Sequence, residues 1–336
     1  MIGNTNYFTA KFRVTSMTEK GEALTIVLSD SDADSYVQLL KDRFPLIRTI
    51  TASEREVLDR VIGEADILLG SRLPPDVIAR ARKLRWFQCT AAGVDFMLPH
   101  RDKASHITVT NVRGMQAEMI ADFVMAGVTM LHWDFRRFAR DQATRVWNPR
   151  HISPLSERTL GVVGLGSIGS AIARRAKSAG MTVLGTKRDI SAPVPGIDRL
   201  FPSEVLEDFL PLCDFVVLAV PATADTMGMF GAKEFATMRR DAFLLNIARG
   251  NVVVEAELVD ALQSSSISGA MLDVFEHEPL AGNSPLWDMQ NVIITPHIAG
   301  WPNNFHERVF SIFADNIDRF LRGQPLNNLV DLTRGY

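Results

Sequence analysis

Apolar and polar positions along this chain repeat on two different periods. Short runs rich in β-branched and large apolar residues, at Leu24 to Ser29, Ile47 to Thr51, Asp66 to Gly70, Arg85 to Cys89 and Ile107 to Thr110, read as strands. Between them, Asp34 to Arg43, Glu54 to Ile62 and Pro75 to Arg82 carry helical patterns. Strand and helix in alternation predict a parallel sheet with helices on both faces. Met115 to about Arg145 follows as one long helical pattern, rich in Ala, Met and Phe on one side and in Arg and Asp on the other. Its length suggests a helix that crosses between domains and supplies a subunit interface. A second alternating series then runs with strands at 159–163, 182–186, 215–219, 243–247, 269–272 and 292–295. Six such strands are the count of a full dinucleotide-binding fold. The stretch from Asn303 to Leu321 is helical, with Phe305, Val309, Ile312, Phe313, Ile317 and Phe320 on one face. That face is core, expected to pack back on the N-terminal domain and so to make that domain discontinuous.

The second series opens on Gly161-Val162-Val163-Gly164-Leu165-Gly166-Ser167-Ile168-Gly169, a buried strand entering a glycine turn and then a helix from Ser170 to Ala179. Glycine is needed three times there: for the sharp turn at Gly164, for close approach of backbone to a pyrophosphate at Gly166, and for packing of helix on strand at Gly169. The helix offers free amides and its positive dipole end to phosphates, with Ser167 and Ile168 in its path. Glycine turns also occur at strand-helix junctions that bind nothing, but the strand before this one and the helix after it supply the binding context.

Composition narrows the function classes. The 336 residues are 46% hydrophobic and 22% charged, with a formal net charge of -3, so no electrostatic case exists for nucleic acid or an anionic membrane. The longest apolar stretch, Met119 to Trp133, is interrupted by Asp122 and is shorter than a spanning helix. No signal peptide is visible in Met1 to Ser16, and Met17 is an alternative start; residues before about Glu22 are expected to be loosely ordered. Cys89 and Cys213 lie in apolar runs and read as buried thiols, which suits a reducing, cytoplasmic compartment. The histidines show no metal-ligand spacing, so no metal is expected.

Three strand ends carry polar residues in apolar surroundings. Arg249 follows the strand ending in Asn246-Ile247-Ala248; a guanidinium there suits a carboxylate, though a surface arginine fits the segment equally well. The segment Leu272-Asp273-Val274-Phe275-Glu276-His277-Glu278-Pro279 holds four titratable residues, and Ile294-Thr295-Pro296-His297-Ile298-Ala299-Gly300 presents a histidine. Together they bring an arginine, a carboxylate and a histidine to one sheet edge: a carboxylate anchor, an orienting acid and a proton donor, the set that reduction of a 2-keto acid requires.

At these residues the chain resembles the D-2-hydroxyacid dehydrogenases, from about Asp66 to Arg319. The resemblance rests on Ala92-Gly93-Val94-Asp95, the Gly164 turn, Val220-Pro221 with Thr226, Asn246 to Gly250, Leu272 to Leu280 and Pro296 to Gly300. It implies an α/β protein of two domains, a Rossmann dinucleotide-binding domain (116–300) inserted into a flavodoxin-like substrate domain (1–115 and 301–336), closing over a small 2-keto acid. It implies Arg249, Glu278 and His297 as catalytic residues. Gly93 and Val94 are implied as backbone donors that, with Arg249, hold the substrate carboxylate. Around the cofactor it implies Gly164, Gly166, Ser167, Ile168, Gly169, Thr186, Val220, Pro221, Thr226, Ala248, Asp273 and Gly300. The reaction implied is reduction of glyoxylate or hydroxypyruvate, favoured at low pH. The same resemblance extends to corepressors that sense dinucleotides and to dehydrogenases of other small anions.

One departure concerns the cofactor. Where NAD-preferring members carry an acidic residue for the ribose 2′-hydroxyl, this chain has Lys187, flanked by Thr186 and Arg188. Two cations and a hydroxyl suit a 2′-phosphate, so NADP is expected to be preferred, with NAD possible through Asp189; simple solvation of both cations is the alternative. Trp301 replaces the small or polar residue expected after Gly300, either to line the substrate pocket or to pack on the hinge. A symmetric homodimer is the expected assembly.

Overall fold

The computed structural model describes residues 23–335, so the expectation for the chain before Glu22 lies outside them. The described chain divides into two compact units: residues 23–112 with His306–Leu332, and Arg113–Phe305 with residues 333–335.

In the first unit, β1 (Thr25–Leu28), β2 (Arg48–Thr51), β3 (Ile67–Gly70), β4 (Trp86–Cys89) and β5 (Thr108–Thr110) form one parallel sheet in the order β2-β1-β3-β4-β5. That is the flavodoxin-like order. Helices α1 (Ala33–Arg43), α2 (Arg55–Val61) and α3 (Pro75–Arg80) connect the strands. The central strands β1, β3 and β4 are buried along their whole length, as a sheet covered on both faces demands.

The second unit begins with α4 (Ala117–Trp133) and α5 (Phe135–Thr144), where the sequence pattern predicts a single helix. The break is at Asp134, whose left-handed backbone (φ 53°) ends α4 while its carboxylate accepts the Arg137 N–H that opens α5. Next come β6 (Thr159–Val163), α6 (Ser167–Ser178), β7 (Thr182–Lys187), β8 (Arg199–Pro202), α7 (Leu206–Phe209), β9 (Phe215–Leu218), α8 (Ala232–Thr237), β10 (Phe243–Asn246), α9 (Glu255–Gln263), β11 (Gly269–Leu272) and β12 (Val292–Ile294). The strands form a parallel sheet of seven in the order β12-β11-β10-β9-β6-β7-β8. The expected six become seven through β8, whose four residues include a charge and a proline and so carry little strand signal. Alternation along the strands feeds two cores. Val162, Val217, Leu245 and Met271 join α4 and α6 on one face, and Val163, Val216, Leu218 and Leu272 face the opposite core. Strand order reverses between β6 and β9, the switch point where doubly wound sheets bind ligands beyond their carboxyl ends.

Finally α10 (Phe305–Leu321) belongs with the first unit from His306 on. Phe313 and Phe320 lie against the Trp86 ring, with centroids 5.2 and 5.5 Å away, and the Asn316 amide donates to Gln88 Oε1. Cys89 and Cys213 are both buried, and neither forms a disulfide among the described residues. No helix among the described residues is long and apolar enough to cross a membrane.

Candidate active site

The glycine turn at the end of β6 has the shape its sequence implies. Gly164 sits at φ +96°, which a side chain would strain, and a Cβ on Gly169 would lie 2.0 Å from the Gly164 carbonyl oxygen. Gly166 is different: a Cβ there would meet nothing within 4 Å. The backbone at Gly166 and Ser167 therefore borders open space, and α6 starts there without a side-chain cap on its first amides. Uncapped amides, a positive helix end and room for a group to approach fit a dinucleotide pyrophosphate. Helix α6 begins three residues earlier than its pattern suggests, which brings Ser167 and half-buried Ile168 into its first turn.

Beyond β7 the expected contacts divide. Thr186 is buried and its hydroxyl accepts the Gly164 N–H at 3.3 Å, so it braces the turn. Lys187 is half-buried and Arg188 exposed. Asp189 is turned to its own chain: Oδ1 accepts the Ser191 N–H at 2.9 Å, and hydrogen bonds from Ser191, with lesser help from the Lys187 charge, hold its carboxyl below the usual range. After β9, Val220 lies against Gly164, and the Thr226 hydroxyl closes a turn by donating to the Pro221 carbonyl at 2.6 Å.

Asn246 ends β10 with both ends of its side-chain amide occupied, accepting the Ala248 N–H and donating to the Arg249 carbonyl, each at 3.1 Å. This closed loop presents Arg249, half-buried, whose Nη1 donates to the Ala248 carbonyl. Gly250 then passes against the chain after β11 so closely that a Cβ would stand 1.8 Å from the Phe275 carbonyl carbon. That contact joins the loop of Arg249 to the loop of Glu278. Glu278 Oε1 accepts the Phe275 N–H at 3.0 Å, and Oε2 accepts from His297 Nδ1 at 2.8 Å. An ionised carboxylate only accepts, so the imidazole proton in that bond is on Nδ1 and Nε2 is left for other chemistry. The ring and the carboxylate remain partly exposed, 46% and 36%.

His297 itself has φ +54°, a left-handed backbone that costs a residue other than glycine roughly 1–2 kcal/mol. The buried Asp273 carboxylate holds the surrounding loop: it accepts Thr295 Oγ1 (2.6 Å), Ile298 N (3.0 Å) and Ala299 N (3.0 Å). The family resemblance implies Asp273 beside the cofactor, and in the structure both its oxygens accept hydrogen bonds from the histidine loop. Gln116, just before α4, donates its side-chain amide to the Gly300 carbonyl at 2.7 Å, a contact no sequence motif announced. Trp301 is 72% exposed. In the first unit Gly93 and Val94 follow β4, with the Val94 side chain buried and a short 3-10 turn, Asp95–His100, beginning after it.

A doubly wound parallel sheet with this turn at its switch point, and a carboxylate-paired histidine at the same edge, defines a nicotinamide-dinucleotide oxidoreductase. A sequence profile of the D-isomer specific 2-hydroxyacid dehydrogenase NAD-binding domain matches residues 125–299. A glyoxylate reductase of Korarchaeum cryptofilum is 33% identical over 313 residues, spanning 90% of this chain and 92% of that protein. Among solved structures, an NADPH-dependent glyoxylate/hydroxypyruvate reductase from Sinorhizobium meliloti, in complex with NADP and sulfate, superposes with a TM-score of 0.84 at 28% identity, covering 93% of this chain and 100% of that one. A D-isomer specific 2-hydroxyacid dehydrogenase from Xanthobacter autotrophicus, in complex with NADPH and MES, gives 0.83 at 32% identity, covering 93% and 99%. The chain belongs to the D-isomer specific 2-hydroxyacid dehydrogenase family, enzymes that interconvert 2-hydroxyacids and 2-keto acids with a nicotinamide dinucleotide.

Proposed function

We propose that the protein is a reductase of small 2-keto acids, glyoxylate or hydroxypyruvate, with a preference for NADPH. The observation that carries the reading is the 2.8 Å bond from His297 Nδ1 to Glu278, which fixes an imidazole with Nε2 available at the edge where Arg249 also emerges. When bound, the dinucleotide supplies a hydride to the substrate carbonyl carbon. The residues of the glycine turn (Gly164, Gly166, Ser167, Ile168, Gly169) hold its pyrophosphate, and Val220, Pro221, Thr226, Ala248 and Gly300 border it. Arg249 binds the substrate carboxylate bidentately and polarises the keto oxygen. Protonated His297 delivers its Nε2 proton to that oxygen, and Glu278 holds the ring on line as the proton is supplied.

Preference for NADPH rests on Lys187 and Arg188 at the end of β7 and on Asp189, whose carboxylate is engaged by Ser191. NADP or NADPH in the structures of the Sinorhizobium and Xanthobacter relatives supports it. The substrate choice is supported by the names of the glyoxylate and glyoxylate/hydroxypyruvate reductases among the relatives. The domain roles follow, with 116–300 binding the dinucleotide and 1–115 with 301–336 contributing to the substrate side. A homodimer is part of the proposal, because α5 buries none of its residues and Trp147 beyond it is 94% exposed.

Initial rates with NADPH and NADH, against glyoxylate, hydroxypyruvate, pyruvate and phenylpyruvate, test this reading. NADPH oxidation well above NADH oxidation with glyoxylate or hydroxypyruvate is expected. Turnover of none of the four acids with either cofactor would refute it.

A further inference from the structure

The loop from Thr295 to Gly300 is tied at both ends, and the residue at its centre is the strained one. At its start the Thr295 hydroxyl donates to Asp273 Oδ1 at 2.6 Å, the shortest of the three bonds to that buried carboxylate. At its end the Gly300 carbonyl accepts from Gln116 Nε2 at 2.7 Å, across 184 positions of sequence. Between these anchors His297 holds φ +54° and points Nδ1 at Glu278. A histidine released from such restraint relaxes toward the ordinary regions of φ, which swings its Cα–Cβ bond and takes the ring off the carboxylate. The Glu278 bond alone is a weak restraint, because both of its partners are more than a third exposed.

We infer that Thr295 and Gln116 are positioning residues for proton transfer: they clamp the two ends of the loop so that His297 keeps its left-handed backbone and its Nδ1–Glu278 bond. The inference rests on the reading of His297 as the proton donor. Both clamping side chains are neutral, so their hold is the same in every protonation state of the site. Neither touches the glycine turn at Gly164. Loss of Thr295 should therefore leave dinucleotide binding intact and lower the chemical step, and loss of Gln116, whose partner Gly300 borders the dinucleotide in the proposed function, should lower the chemical step more than it weakens binding.

The variants are Thr295→Val, which keeps the side-chain shape and removes the donor, and Gln116→Met, which keeps the length and removes the amide. Thr295→Ser restores the donor and serves as the rescue. Each is assayed for kcat and KM in keto acid reduction, for NADPH Kd by fluorescence titration, and for Tm. Nitrogen-15 NMR of the histidine rings in the cofactor-free protein reports the His297 tautomer at alkaline pH. The clamp predicts a fall in kcat of about 10- to 100-fold for either variant, the size expected for a displaced catalytic group. KM stays within about twofold in both variants, and NADPH Kd stays within about twofold in Thr295→Val, since only a transition-state interaction is lost. The NMR spectrum moves from a single Nδ1–H tautomer to a mixture, and Thr295→Ser recovers both readouts.

Unchanged kcat and tautomer in both variants would overturn the inference. So would a loss of kcat that tracks a lower Tm and a weaker NADPH Kd, the pattern of a merely structural role. If Thr295→Val does not fold, Gln116→Met decides by the same criteria. A parallel His297→Gln variant separates the two levels of the argument. Full reduction activity in that variant would remove the proton-donor reading itself, whereas its inactivity beside unaffected clamp variants would remove only the clamp.

Discussion

Replacing Glu278 by Gln tests the centre of the site with the smallest change of shape. The amide oxygen can still accept the Phe275 N–H now bonded to Oε1 at 3.0 Å, so the side chain stays anchored. What changes is the partner of His297 Nδ1, whose N–H donates a hydrogen bond to a charged oxygen at 2.8 Å. A charge-assisted hydrogen bond is worth about 1.5–3 kcal/mol when shielded from water. With the ring 46% and the carboxylate 36% exposed, solvent reduces that to ~1–2 kcal/mol. The loss falls mainly on the transition state, where the imidazole must be aligned and protonated, so kcat/KM for keto acid reduction should drop about 5- to 30-fold. The NADPH KM should change little, because Glu278 lies on the loop after β11, away from the glycine turn. Steady-state kinetics of both proteins across pH 5 to 9 is the assay. A variant with kcat/KM within twofold of the native protein, and the same pH profile, would refute the orienting role of Glu278.

Other consequences can be read at the bench. Replacing Lys187 and Arg188 together by Ala should raise the NADPH KM by about 10- to 100-fold and leave the NADH KM within about threefold, on the strength of charge-assisted phosphate contacts; equal effects on both cofactors would show that the pair is only solvated. Asp214→Ala removes the carboxylate that accepts the Thr159 N–H at 2.7 Å and pairs with Arg158 at 3.3 Å, at the opposite edge of the sheet from the candidate site. It should cost ~2–4 kcal/mol and lower Tm by roughly 5–15 °C in calorimetry, with kcat at low temperature unchanged. Burial, with a smaller contribution from the Asp214 charge, pushes the Cys213 thiol up to about 12. Cys213 should therefore stay unlabelled by Ellman's reagent in native protein at pH 8 and react only after unfolding.

The parts legible in the sequence were those whose physics is local. The glycine turn declares itself because the strand before it, the three glycines and the helix after it are contiguous, and Gly164 and Gly169 each meet a backbone requirement. The pairing of Glu278 with His297 follows from two strand ends that the parallel sheet makes neighbours, β11 beside β12. Other features depend on contacts the pattern does not encode. Asp134 interrupts a helical periodicity that continues on either side of it, so the break between α4 and α5 is invisible until the left-handed cap is seen. Strand β8 offers two apolar residues and a proline, and only its pairing with β7 makes it a strand. Thr186 reads as a polar group at a strand end, and burial turns its hydroxyl inward to the Gly164 amide. Gln116 is one amide in a polar stretch, and the fold alone brings it to Gly300.

The measurement that bears most directly on the account is kcat/KM for glyoxylate or hydroxypyruvate reduction by NADPH as a function of pH, in the native protein and in His297→Gln. Reduction takes up a proton, and His297 can give one only while charged, so the native rate should fall as pH rises. The variant should lose about 100- to 10,000-fold at low pH, the usual worth of a positioned acid, and should lack the same pH dependence. A native profile that does not fall with rising pH, or a variant within tenfold of the native rate, would contradict His297 as the proton donor.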